Sequence, residues 1–265
     1  MNFTTFVLHF IIPKNMKTLV RLSFYVAALC FIAFIQNVDG QDVQQEPVKN
    51  GFFTEKSGDL TLEGNYVDGK KDGDWITYYP TGLLKKLEQY SNGKKNGLVL
   101  EIDSKGAIVS QANYIQNQLD GVSKAYGRNG KLTYVKHYSK NKLNGVSLTY
   151  YDNGQLQEEA YFKNDLRDSI TNWYDTDGHL VAKYSYREGK FEGKSITYFA
   201  NGNVKSEKVY LGDQLHGPYN EYYEDGTVRQ SGEYEYGKKN GTWLSYDPTG
   251  KLLSTEKYKF GELKK

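Results

Sequence analysis

The chain has 265 residues, with 27 glycines, 24 tyrosines, 38% hydrophobic residues and a mean hydropathy of -0.70. Turn formers and aromatics at the expense of aliphatic side chains exclude a large conventional core. Lys14, Lys17, Arg21 and Asp39 account for the whole imbalance between 34 basic and 32 acidic residues. The remainder is neutral and lacks the basic footprint of a nucleic-acid binder.

Residues 1–40 read as a secretory signal peptide: a basic stretch, the uncharged run Leu22 to Ile35, and Val38 and Gly40 before a cleavage point at Gln41. Met16-Lys17 reads as the better start, which would make residues 1–15 a mis-assigned extension. The apolar run is short against the roughly 20 residues of a membrane span, so a secreted or periplasmic location is expected, with an uncleaved N-terminal anchor as the alternative. Cys30, the sole cysteine, lies inside this run with Leu29 before it and Phe31 after it, a context unlike a lipidation site. The mature chain therefore depends on packing and strand pairing rather than disulfides. Residues 41–57 are expected to form an N-terminal linker and cap.

From residue 58 to 265 a 24-residue period governs the sequence. Gly58, Gly82, Gly106, Gly130, Gly154, Gly178, Gly202, Gly226 and Gly250 hold one phase. A second holds Gly73, Gly97, Gly121, Gly145, Gly193, Gly217 and Gly241, with Ser169 substituting once. Tyr66, Tyr90, Tyr114, Tyr138, Tyr186, Tyr210, Tyr234 and Tyr258 form a third column, in which Phe162 is the one replacement. Two more columns run through Tyr78, Tyr126, Tyr150, Tyr174, Tyr198, Tyr222 and Tyr246, and through Leu84, Ile108, Leu132, Leu156, Leu180, Val204, Val228 and Leu252.

Each unit predicts two short strands and two turns, eight full units in all. Leu84 and Tyr90 share parity and so should share a face of a regular strand. Asp68-Gly69, Asn92-Gly93, Asn153-Gly154, Asn201-Gly202 and Asp225-Gly226 are hairpin signals, because glycine tolerates positive φ and Asn or Asp approaches it. The glycine column at 73, 97, 121 and onward has two readings: a bulge or turn conformation, or room for a tyrosine ring across the backbone. Either serves the scaffold rather than a ligand.

The unit Tyr66-Val67-Asp68-Gly69-Lys70-Lys71-Asp72-Gly73-Asp74-Trp75, continuing through Gly82 to Leu84, resembles the MORN repeat in its bacterial variant. That resemblance implies an all-β, elongated, single-layer antiparallel meander of tandem hairpin repeats. It also implies an antitoxin-like role, since bacterial members often carry that label. Sixteen strands about 4.8 Å apart would extend roughly 75 Å, with interdigitated tyrosines acting as the core.

Trp75 and Trp243, in the first and last full units, share a phase where inner units mostly have Ser or Thr, which suits capping of the array ends. His137, His179 and His216 fall on three different phases, so no metal site is expected from them. No Gly-x-Ser-x-Gly elbow, P-loop or His-Glu-x-x-His occurs, so no catalytic residue and no cofactor is expected. Repeat five departs furthest from the pattern, and Trp173, Tyr174 and His179 form the candidate interaction surface there. The expected activity is a non-enzymatic scaffold that binds a protein partner. An envelope lipid or glycan is the alternative ligand, and nucleic acid is excluded.

Overall fold

The computed structural model describes residues 48–264, and the signal-peptide reading lies outside the described residues. All regular elements described are strands, joined in one open antiparallel sheet. Each strand pairs with its chain neighbours, from Gly51–Ser57 against Leu60–Val67 to Leu252–Lys259 against Glu262–Lys264. Twenty-one segments arise from eight two-stranded units, a leading strand, two closing strands, and a break in the second strand of units five and six. The expected meander is thus the observed fold.

Two turn classes alternate. The tight turns place two residues in the left-handed region, as at Asn92 (φ 52°) with Gly93 (φ 79°), or at Gln116 (φ 52°) with Asn117 (φ 68°). This is the geometry whose twist matches the flanking strands. From Asp68-Gly69 onward each of these turns also donates an amide to the preceding unit, for example Gly93 N to Lys71 O at 2.8 Å and Asn141 N to Leu119 O at 2.9 Å; the first turn, Gly58-Asp59, has only its glycine at positive φ. Asn153-Gly154, Asn201-Gly202 and Asp225-Gly226 sit instead in the longer turns, where the glycine alone has positive φ. The same dipeptide serves both classes because the longer turn needs one left-handed residue and the tight turn two.

A register shift accompanies every longer turn. Tyr78 pairs with Leu84, whereas Thr77 pairs with Lys86, so one residue bulges out. Leu84 therefore leaves the face that Tyr90 occupies, contrary to the parity expectation, and the second tyrosine and aliphatic columns become cross-strand partners through the whole array.

The first unit breaks the period. Gly51 pairs with Tyr66 as Gly73 pairs with Tyr90, yet Gly51 and Gly73 are 22 residues apart, because Gly58 and Asp59 form a tight turn between Ser57 and Leu60. The segment expected as a linker and cap thus contributes a complete paired strand, and the sheet starts before Gly58.

Gly73, Gly97, Gly121, Gly145, Gly193, Gly217 and Gly241 all adopt φ between 71° and 119°. A Cβ at Gly73 or Gly241 would meet nothing within 4 Å, and one at Gly97 or Gly145 would meet the Gln89 or His137 side chain rather than a tyrosine ring, so the shared requirement of the column is conformation and not space for a tyrosine ring. Ser169 occupies the same left-handed conformation at φ 66°. Replacing Ser169 by glycine should therefore stabilise the protein by about 1 kcal/mol, relieving a conformation that disfavours a side chain. Denaturant titration of both forms checks this, and an unchanged midpoint would refute the strain.

Candidate interaction surface

Strand pairing sorts the side chains into two faces. One carries the tyrosines of the 66, 90, 114 column, and on it Trp75 lies opposite Glu88, Glu88 opposite Val99, and Ala112 opposite Ser123. Every buried residue described lies on this tyrosine face, including Trp75, Val99, Ser123, Ser147, Glu158, Ala160, Thr171, Ala182, Ser195, Ser206 and Trp243. Long side chains, rather than a second layer of backbone, provide the cover.

At both ends the cover is a tryptophan lying over a glycine. Trp75 donates Nε1–H to Asn65 O at 3.0 Å and Trp243 donates to Glu233 O at 3.1 Å. A Cβ on Gly64 would stand 2.4 Å from the Trp75 ring, and one on Gly232 would stand 2.3 Å from Trp243. Ring space, one of the two sequence readings of the 73 column, belongs to these two glycines. Pairing of a glycine with a tryptophan eleven residues later was the signal that could have found them.

A cation column also escaped the sequence reading. Lys71 Nζ lies 3.9 Å from the Trp75 ring centroid and Lys239 Nζ lies 4.0 Å from that of Trp243. Lys49 repeats the arrangement over Phe53 and Tyr66. In unit five the equivalent Arg167 approaches Phe162, Trp173 and Tyr186, and its Nη1 pairs with Glu158. Lys95 keeps a cation over Tyr114, and in the remaining units the position is apolar, as at Leu119, Leu143, Phe191 and Leu215.

Burial pushes the Tyr219 hydroxyl up to about 12, and burial likewise raises Tyr90, Tyr138, Tyr186, Tyr210 and Tyr234. These phenols stay protonated in the fold where the unfolded chain ionises near pH 10. Their contribution is complete below pH 10 and is lost as pH rises toward 12. Thermal unfolding followed across that interval should show a falling midpoint together with rising tyrosinate absorbance, and a flat midpoint would refute the coupling.

The structure separates the three residues expected to form a surface in repeat five. Trp173 opposes Glu158 on the tyrosine face, and Tyr174 belongs to the opposite face, where its hydroxyl lies 3.5 Å from Glu159 Oε2. His179 lies in the following turn, with Nδ1 3.2 Å from Asp175 Oδ2. Asp175, Asp177 and His179 hold ligand-type atoms within 4.8 Å of one another. Asp175 Oδ1, however, accepts the backbone amides of Asp177 and His179, as Asp103 Oδ1 accepts those of Lys105 and Ala107 in a turn without histidine. Those amides hold the Asp175 carboxyl below its usual value, and the cluster serves the turn.

Apolar side chains left in solvent gather on the other, open face. Val146 pairs with Tyr161, and Ile170 flanks Tyr161 on the next strand; they are 39%, 41% and 51% exposed. Along the same row, Asp74 pairs with Gln89, Lys194 with Val209, and Thr242 with Lys257, so the row turns polar toward both ends.

No curated protein matches the chain at significant similarity. Among solved structures, the crystal structure of TarM is similar at 14% identity and a TM-score of 0.24, over 44% of this chain and 22% of that one. The crystal structure of TcdB2-TccC3 is similar at 14% identity and a TM-score of 0.18, over 78% of this chain and 15% of that one. The model of the MORN repeat variant matches residues 71–92, 119–140, 143–164, 191–211, 215–236 and 239–260. Those six matches fall on the tyrosine and glycine phases that build the ladder, and the chain belongs to the MORN repeat variant family.

Proposed function

We propose that the protein is a non-enzymatic repeat scaffold, acting outside the cytoplasm, that docks a protein partner on its open face through Val146, Tyr161 and Ile170. The observation that supports this reading is the segregation of apolar groups. Buried side chains occupy the tyrosine face, whereas these three stand exposed on adjacent strands of the other. An uncharged centre within a polar row has the composition of an interface core. Neighbouring strands rotate by about 20–25°, so a rigid partner meets three or four strands rather than the whole row. The antitoxin-like role implied by the family resemblance is a special case in which the partner is a toxin. Placement outside the cytoplasm rests on the N-terminal basic and apolar run.

The test is retention from envelope extracts on the immobilised protein. A partner retained by the native chain should be lost at least tenfold from the Val146→Glu, Ile170→Glu double variant, a loss of about 1.4 kcal/mol or more, with unchanged circular dichroism. Undiminished retention by the variant would remove the patch from the reading. Retention of nothing by the native chain would remove the reading itself.

A further inference from the structure

We infer that the edge of the sheet built by the longer turns carries equivalent grooves, each of which binds one ring at a separate point along a neutral polysaccharide. The first residues of these turns are Tyr79, Asp103, Gly127, Tyr151, Asp175, Phe199, Tyr223 and Asp247, so a tyrosine turn precedes an aspartate turn in every third unit. In each such pair the tyrosine hydroxyl donates to the carbonyl just before the aspartate. Tyr79 reaches Ile102 O at 2.9 Å, Tyr151 reaches Tyr174 O at 2.8 Å, and Tyr223 reaches Tyr246 O at 2.9 Å. Six positions further on, the tyrosine turns carry Lys85, Gln157 and Arg229, and the aspartate turns carry Val109, Val181 and Leu253.

A hollow forms where a long polar residue and an aliphatic one face each other across such a pair. One groove of about 230 Å³ is lined by Tyr79, Lys85, Lys86, Glu101 and Val109 among others. Another of about 310 Å³ is lined by Tyr223, Arg229, Gln230, Ser245 and Leu253 among others. These residues correspond one to one, six units apart, so the same groove is built twice. Between them, Trp173 and Tyr174 stand at the positions of Glu101 and Ile102, giving the Tyr151 pair an indole in place of a carboxylate.

Volume, charge and spacing select the occupant. Each groove holds one substituted six-membered ring and is too small for a helix or a folded loop. Charges in each groove cancel: Lys85 and Lys86 stand with Glu101 and Asp103 in the first, where Lys86 pairs with Glu101 at 3.3 Å, and Arg229 pairs with Glu221 at 3.2 Å in the second, so no net charge remains to select a phosphate or a carboxylate ligand. A tyrosine ring, an aliphatic wall, donors and acceptors together suit a ring with an apolar C–H edge and several hydroxyls. Successive tyrosine–aspartate pairs lie six strands apart and the two grooves twelve, roughly 29 and 58 Å, separations that a polymer bridges and a single sugar does not. Weak sites linked in this way gain through avidity.

The grooves are separate from the open-face patch and stand or fall independently of it. Affinity electrophoresis of the purified protein through gels containing hydroxyethylcellulose, glycol chitin or soluble starch tests the inference. At least one of these polymers should retard the protein. Val109→Arg and Leu253→Arg, at positions 41% and 63% exposed, fill the grooves without touching the tyrosine hydrogen bonds. Each alone should weaken retardation several-fold, and together they should weaken it about 100-fold through lost avidity. The Val146→Glu, Ile170→Glu variant should migrate with the native protein. No retardation by any of the three polymers, or full retardation of the double arginine variant, would overturn the inference.

Discussion

Replacing Trp243 by alanine should cost about 3–5 kcal/mol, the range for removing a fully buried aromatic side chain. Trp243 is 1% exposed, contacts Tyr219, Tyr234 and Tyr258, and shields the turn of the ladder at Gly232. Gly232→Ala should cost about 1–3 kcal/mol, because the new methyl group enters the space of the indole. The two losses should not add. Inner units fill the same place differently, with Ala112 opposite Ser123 and Lys136 opposite Ser147. Combining Gly232→Ala with Trp243→Ser copies that inner solution, so the double variant should be more stable than the sum of its single changes predicts. In a one-dimensional array the damage stays near the lesion. Hydrogen exchange should accelerate in the strands from Gln214 to Lys264 and stay unchanged in those from Leu60 to Ile102. Uniform acceleration along the array, or strict additivity, would refute this account of the end caps.

Arg167→Ala should cost about 3–5 kcal/mol, because it strands the Glu158 carboxylate, 8% exposed, without its cation. The guanidinium also stands within 5.2 to 5.8 Å of three ring centroids, and the buried Thr171 hydroxyl lies 3.4 Å from its Nη1. Arg167→Lys should be milder, since lysine holds this position in the units of Lys71, Lys95 and Lys239. Glu158→Ser with Arg167→Leu copies the unit of Ser110 and Leu119 and should recover most of the loss, as removal of both charges removes the unpaired one. Denaturant unfolding of the three variants beside the native protein decides the matter. A double variant as unstable as Arg167→Ala would show that the pair is not what the site requires.

Repetition made the skeleton legible. A glycine repeated in seven of eight units needs no alignment to be read as scaffold, and the structure decides between its two readings by putting the 73 column uniformly at positive φ. The tight turns were legible at Asn92-Gly93 but not at Gln116-Asn117 or Glu188-Gly189, because there tertiary tethering to the preceding unit holds residues of weaker turn preference. The parity argument for Leu84 failed because a bulge adds a residue, and a bulge leaves no mark in a two-residue period.

The candidate surface was less legible. Trp173 and Tyr174 drew notice as adjacent aromatics, yet they are successive residues of a strand whose bulge lies on its partner, so they point to opposite faces. The exposed patch joins Val146, Tyr161 and Ile170 from three strands, and only pairing brings them together.

By itself the sequence determined the all-β class, the 24-residue unit, its turns and its neutral charge, because each of these is a local or periodic property written in every copy. Tertiary structure decided which face is covered, which glycines lie beneath tryptophan, which cations lie against rings and where the apolar remainder is exposed. Those features depend on strand register, and register is fixed jointly by bulges and neighbouring strands rather than by any one segment.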